Sequence, residues 1–234
     1  MQYVKIKDAI VEQIDAGMLT PRQKLPAERK LAESFDTTRV TLREALSLLE
    51  AEGKIYREDR RGWFISPETL RYDPSETLNF TNMALAQNRQ PKTELVSAKS
   101  MIANKLATKL LNLKPFSDVY RVDRVRYLEN RPVVYVTNYI RPELFPNLLD
   151  FDLSNSLTDI YREHFGTQYQ TIRYRITTSS LLGETAQALR ATAGTPAMVV
   201  ERVNYNQNGD LIDCDIEYWR HDAISIESVA QLSR

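Results

Sequence analysis

Several groups of side chains in this sequence could do chemistry by type and spacing. If residues 39–52 are helical, Arg39, Arg43, Ser47 and Glu50 fall within a stripe of roughly 80°. Arg60 and Arg61 stand beside Gly62 between two strand-like runs. Arg124 and Arg126 alternate within an apolar run, which places both on one face of a strand. Asp213, Asp215, Glu217 and Trp219 share a face in a later run. Guanidinium groups so placed can take a phosphate or the O6/N7 edge of a guanine. Adjacent arginines on an apolar face repel unless an anion lies between them, carboxylates such as Asp123 or Glu129 pair with them, or both reach solvent. The three acids could be a solvated sheet surface or a counter-charge for a cationic group.

Other chemistry is poorly provided for. The 234 residues include one cysteine, Cys214, and two histidines, His164 and His221, so neither an internal disulfide nor a multi-thiolate or zinc site is expected. No nucleophile elbow or phosphate-cradling loop occurs among the seven glycines, and no catalytic residue is nominated. His164 reads as structural, and His221 as a weak candidate for ligand contact. Hydrophobic content of 42% and charged content of 26% are ordinary for a globular chain. No apolar run approaches the ~20 residues a membrane helix needs, and the N-terminus lacks a signal-peptide core. A cytoplasmic protein without metal or cofactor is expected. Net charge is zero, and residues 1–66 balance 12 Lys/Arg against 11 Asp/Glu. Any affinity for nucleic acid must therefore come from where arginines are placed.

The elements that would place them follow from periodicity. Tyr3, Ile6, Ile10 and Ile14 recur at helical spacing over Tyr3–Ala16, with Gly17 as the stop. A short helix is expected over Glu28–Phe35, then a polar turn in which Thr37 or Thr38 caps the next helix. That helix, Arg39–Glu52, turns Leu42, Ala45, Leu46 and Leu49 away from its arginines. Two strand-like runs, 54–58 and 63–65, joined through Asp59–Gly62, complete a winged helix-turn-helix, in which one helix enters the DNA major groove.

Residues 67–75 hold prolines and polar residues and read as a linker between a DNA-binding domain at 1–66 and a second domain at 76–234. Within the latter, 76–88 looks helical, 93–102 strand-like and 104–113 helical. Residues 123–140 (DRVRYLENRPVVYVTNYI) align without gaps on 201–218 (ERVNYNQNGDLIDCDIEY) at an offset of 78, with identities at 124/202, 125/203, 127/205 and 130/208. Each is strand, turn, strand, and Asn208-Gly209 is a strong hairpin signal. Helices are expected after the first hairpin (156–165) and before the second (184–191). Two related halves imply an α+β domain with a pseudo-two-fold antiparallel sheet and a cleft between the hairpins.

The motifs LPAERKLAE, TRVTLREAL, EGKI and RRGWF resemble the signature of the GntR family of bacterial transcription regulators over nearly all of residues 3–66. The resemblance implies contact with double-stranded operator DNA by Arg29, by Thr38, Arg39, Thr41 and Arg43 on the recognition helix, and by Arg61 and Gly62 at the wing tip. The family's usual Gly-x-Gly tip is here Arg61-Gly62-Trp63. The DRVRY strand, SLTDIY, GTPAMVVERVNY and DCDIEYWRHD resemble the UTRA effector-binding domain, a chorismate-lyase-like fold, over about 76–230. In phosphosugar-binding members the anion is held by strand arginines, a serine and a Ser-Thr pair, which correspond to Arg124, Arg126, Ser156 and Lys92-Thr93. Lysine replaces serine in that pair, and Val136 stands where those members carry a glutamate.

DRRGWFISPETL and DIEYWRHD are similar to the branch that regulates use of 2-aminoethylphosphonate. On that likeness Lys92, Thr93, Arg124, Arg126 and Ser156 would take the phosphonate, and one or more of Asp213, Asp215 and Glu217 the ammonium. The expected protein is a homodimeric repressor that the effector releases from DNA, by changing how its DNA-binding domains are oriented across the linker. A phosphorylated sugar or another phosphorylated metabolite is the alternative effector. A lyase-like enzyme is the remote one.

Overall fold

The computed structural model describes residues 1–76 and 78–231. Thr77 and residues 232–234, which the sequence reading includes in the helical stretch or the second domain, lie outside the described residues. The chain divides into two compact units. One is Met1–Arg71 with Ser180–Pro196 and Arg220–Ser225; the other is formed by the described residues of 72–179, 197–219 and 226–231.

The first unit is a winged helix-turn-helix. Helices α1 (Gln2–Asp15), α2 (Glu28–Ser34) and α3 (Arg39–Ala51) are followed by strands β1 (Ile55–Glu58) and β2 (Gly62–Ile65). Helix α3 begins where Thr38 Oγ1 accepts the Thr41 N–H at 3.2 Å, a side-chain cap that satisfies one of the first-turn donors. It stops at Gly53, whose φ of +71° suits a residue without a Cβ. Leu42, Ala45, Leu46 and Leu49 have no exposed surface and pack with Ile6 and Ile10 of α1. Each buried leucine contributes about 1.5–3 kcal/mol of transfer free energy, far more than helix propensity does. The wing pairs Ile55 with Ile65 and Glu58 with Gly62, and Lys24 adds a bridge to Phe64.

Two later segments pack into this unit. Arg220 is fully buried and donates from Nη1 to the Leu189 carbonyl and from Nη2 to the Arg57 carbonyl, both at 2.8 Å. His221 places Nε2 2.6 Å from the Glu50 carbonyl and Nδ1 3.1 Å from that of Pro196. The stretch read as a linker contains a strand, β3 (Leu70–Tyr72), hydrogen-bonded to β10 (Ile224–Ile226). Its three residues are too few for alternation to declare them, and their partner lies at the far end of the sequence.

The second unit carries a six-stranded sheet. Its strands are β4 (Pro91–Ile102), β5 (Asp118–Leu128), β6 (Arg131–Ile140), β7 (Tyr169–Ser180), β8 (Pro196–Asn206) and β9 (Leu211–Arg220), in the order β4-β5-β6-β9-β8-β7. β4–β5, β5–β6 and β6–β9 run antiparallel. The repeat read from the hairpins is longer than they are. At the offset of 78, β4 (91–102) falls on β7 (169–180), α5 (Lys105–Leu110) on α7 (Gly183–Ala188), and β5 (118–128) on β8 (196–206). The central pair, β6 and β9, joins the halves. Helix α4 (Phe80–Ala86) precedes the first half and α6 (Leu157–Phe165) the second. Helix α4 is shorter than its expected 76–88, because Asn79 caps it and Asn88 adopts a left-handed φ of 56°.

Candidate functional site

On the first unit, α3 presents Arg39 and Arg43 on its exposed face, with side chains 60% and 58% accessible. Both lean on Glu28 at the start of α2. Arg43 Nε donates to Glu28 Oε2 at 2.8 Å, Arg39 Nη2 lies 3.7 Å from the same oxygen, and Trp63 Nε1 of the wing donates to Oε1 at 3.2 Å. Burial pushes the Glu28 carboxyl up, but the bonds from Arg43 and Trp63 outweigh this and hold it below the ordinary glutamate range. One carboxylate thus ties α2, α3 and the wing together. Thr38 and Thr41 share a 3.0 Å hydroxyl contact at the same helix end.

Arg29 is exposed and lies 3.9 Å from Glu33. Arg61 pairs with the buried Glu58 and lies over the Phe64 ring. Gly62 has φ +103°, a conformation that side chains with a Cβ rarely adopt, so the tip turn favours glycine; a Cβ there would lie 3.3 Å from the flexible end of Lys24. Sequence reasoning overlooked Glu28 and also Val40, an apolar residue 69% exposed beside Arg39, where a thymine methyl could be met. Glu28 was hidden because its partners come from two other elements, α3 and the wing.

The second unit contains a cavity of about 820 Å³ lined from both halves of the repeat, by α4, β4, β5 and β6 and by α6, β7, β8 and β9. Lys92, Thr93, Arg124, Arg126, Ser156 and Glu217 all reach it; Asp213 and Asp215 do not. Ser156 caps α6 by accepting the Asp159 N–H, which leaves its hydroxyl proton and the amides of Leu157 and Thr158 able to donate to an anion. Lys92 is held by Glu94 at 2.5 Å on the exposed rim.

The two strand arginines differ. Arg126 pairs with Glu217 at 3.3 Å and lies 5.2 Å over the Phe80 ring. Arg124 is buried, donating to Asn138 Oδ1 at 2.9 Å and to the Asn155 carbonyl at 3.1 Å, while its Nε has no partner among the described residues. Among the described residues no carboxylate lies within ion-pair distance of it. Burial first, then the neighbouring Arg126 charge, pulls Arg124 down to about 10, which still leaves it a cation at neutral pH. The nearby acids of the sequence are engaged elsewhere, Asp123 with Arg121 and Glu129 with Arg89.

The acids of β9 are mostly used internally. Asp213 accepts from Tyr161 and Tyr169 hydroxyls at 2.9 and 2.7 Å and from Asn204 Nδ2 at 2.7 Å. Burial and the Asp215 charge nevertheless push it up to about 6. Asp215 is held by Arg202 Nε at 2.7–2.8 Å. Only Glu217 faces the cavity, and it also accepts from Trp219 Nε1 at 2.8 Å. Asn138, Arg202 and Trp219 belong to this site though sequence reasoning did not nominate them. Arg202 was within reach, as the repeat mate of Arg124. His221 lies outside the cavity, in the first unit.

A winged helix-turn-helix and a separate unit with a ligand-sized, cation-lined cavity define a DNA-binding regulator with an effector domain. Residues 2–65 match the bacterial regulatory proteins of the gntR family, and residues 86–225 match the UTRA domain. The chain is 32% identical over 222 residues to the HTH-type transcriptional regulator YihL of Escherichia coli K12, covering 94% of each protein. It is 26% identical to the HTH-type transcriptional repressor NagR of Bacillus subtilis, covering 94% of this chain and 90% of that one. The crystal structure of PhnF from Mycobacterium smegmatis superposes with a TM-score of 0.68 at 24% identity, over 97% of this chain and all of the other. The protein belongs to the GntR family and is a transcription regulator with a UTRA domain. No helix among the described residues is long and apolar enough to cross a membrane.

Proposed function

We propose that the protein is a homodimeric repressor that leaves its operator when a small anionic effector, 2-aminoethylphosphonate in the first instance, fills the UTRA cavity. The observation that carries this is Arg124: a buried cation at the cavity wall without a carboxylate of its own, close to the capped start of α6. A dianionic phosphonate would supply the missing charge and take hydrogen bonds from Ser156, Thr93 and the free guanidinium edge. Glu217 would meet the ammonium, since it alone of the three β9 acids lines the cavity. The operator would be held by Arg29, Thr38, Arg39, Thr41 and Arg43, with Arg61 and Gly62 at the flanks. Release follows if the effector prefers the conformation with lower operator affinity.

A phosphorylated sugar is the second reading. It is favoured by the size of the cavity, which lies toward the upper end of the ~300–1,000 Å³ typical of ligand sites and exceeds what 2-aminoethylphosphonate fills. Titration of the purified protein with 2-aminoethylphosphonate and with sugar phosphates, read by thermal shift and calorimetry, separates the two. A protein stabilised by neither, with operator binding unaffected by both, defeats the proposal. Turnover of any of them would return the enzyme reading.

A further inference from the structure

The repeat gives each half of the sheet an arginine at the same position, Arg124 on β5 and Arg202 on β8. The halves neutralise these two cations differently. Arg202 lies against Asp215, which it chelates through Nε and Nη2, and 3.6 Å from Glu217. Although burial works against it, the Asp215 charge holds the Arg202 guanidinium well above the ordinary arginine range. Arg124 has none of this. The β6 residue opposite it in register is Val136, and the one that accepts its hydrogen bond is Asn138. Across the central strand pair, Val136 and Asn138 face Glu217 and Asp215 themselves, so two uncharged β6 side chains stand beside two β9 carboxylates.

Arg124 and Arg202 both line the cavity. Desolvating a guanidinium is costly unless an anion repays it, and Arg202 is repaid within the protein. For Arg124 the described residues supply an amide oxygen and a carbonyl and no carboxylate within ion-pair distance. Asn138 is 3% exposed and has the shape of an aspartate without its charge.

We propose that Asn138 is the residue that makes this half of the cavity an anion site: its amide withholds the counter-ion that a carboxylate would give Arg124, and the effector's anionic group takes that place. The inference rests on the effector-site reading above. It assigns the specificity for charge to a side chain that need not touch the ligand, through exclusion of an internal competitor rather than an added attraction.

The test is calorimetry on the full chain with inorganic phosphate and 2-aminoethylphosphonate, for the wild type, Asn138→Asp and Asn138→Ser, with thermal midpoints of the ligand-free proteins. Asn138→Asp should weaken binding of both anions by roughly tenfold or more relative to Asn138→Ser, because only the former adds like charge. Ligand-free Asn138→Asp should also melt above Asn138→Ser, and this advantage should vanish in acid as the new carboxylate protonates. Equal losses in the two variants overturn the proposal, as does an Asn138→Asp protein that is less stable than Asn138→Ser or does not fold. A wild type that binds neither anion removes the reading of the site itself; a wild type that binds while Asn138→Asp binds equally well removes only the role of Asn138.

Discussion

Arg43 on the recognition helix donates through Nε to Glu28 at the start of the preceding helix, 2.8 Å away. This bond holds the Nε edge of the guanidinium and so restrains its plane. A side chain so constrained loses less rotamer entropy on binding than a free arginine would. If Arg39 and Arg43 read the operator, a nearly neutral unit can be selective through a few aimed arginines while the rest of its charge is balanced. Arg43→Ala and Arg39→Ala should each weaken specific operator binding by about 1–3 kcal/mol. Arg39→Ala should leave the thermal midpoint almost unchanged, whereas Arg43→Ala should lower it modestly because it removes the bond to the mostly buried Glu28. Fluorescence anisotropy at fixed salt measures the first and a melting curve the second. Unaltered operator affinity in both variants would mean that this face of α3 does not read DNA.

Glu28 should matter for acid stability. Its folded carboxyl lies below the ordinary range, so it binds protons less readily than in the unfolded chain. Its stabilisation is then fully present above the ordinary glutamate value and is lost as pH falls through the lower, folded one. Glu28→Gln should cost stability at neutral pH, and the gap to wild type should close below about pH 4. Urea unfolding at several pH values would show this, and a gap independent of pH would sink the argument.

The DNA-binding unit could be read from sequence because its information is local. The four apolar residues of α3, the Thr38 cap and the Gly53 stop lie within one short stretch, and the structure uses each as the pattern implies. The hairpins were legible for the same reason, through alternation and turn residues. What alternation cannot supply is depth. It places Asp213, Asp215 and Glu217 on one face, but it does not say that Tyr161 and Tyr169 close over Asp213, or that Arg202 claims Asp215. Those partners come from a helix and two other strands. Likewise, the β3–β10 pairing and the seat of Arg220 against Arg57 join residues more than 150 apart, and no local pattern encodes them.

Asp213 should give the second unit a pH-dependent stability of the opposite sign. Burial raises its folded carboxyl to about 6, so the folded chain holds this proton more tightly than the unfolded chain does. Its contribution is most favourable below the ordinary aspartate value and is lost as pH rises through about 6. The loss amounts to about 3 kcal/mol if the unfolded group is ordinary. Asp213→Asn removes the titration. The stability difference between wild type and this variant should therefore drift against the wild type between about pH 4 and 7 and be flat above. Parallel stability curves for the two proteins over that interval would show that Asp213 is not held proton-rich.

Arg124 and Arg126 are neighbours on one strand face, yet they should answer differently to truncation. Arg126 already has Glu217 at 3.3 Å, and when Arg126 is removed that carboxylate keeps Arg202 at 3.6 Å and Trp219 Nε1 at 2.8 Å. Arg124 has no carboxylate within ion-pair distance among the described residues, so an anion bound beside it would gain the larger share of its charge. Arg124→Ala should therefore cost about 2–5 kcal/mol in effector binding, the range for deleting one member of a buried charge pair. Arg126→Ala should cost distinctly less. Operator binding without effector should survive in both, leaving an Arg124→Ala protein that holds DNA and ignores the inducer. Calorimetry with 2-aminoethylphosphonate ranks the two variants, and anisotropy with operator shows whether DNA is still held. If Arg126→Ala loses the more, the anion lies toward Phe80 and Glu217 rather than at the start of α6, and the charge logic of the cavity must be reversed.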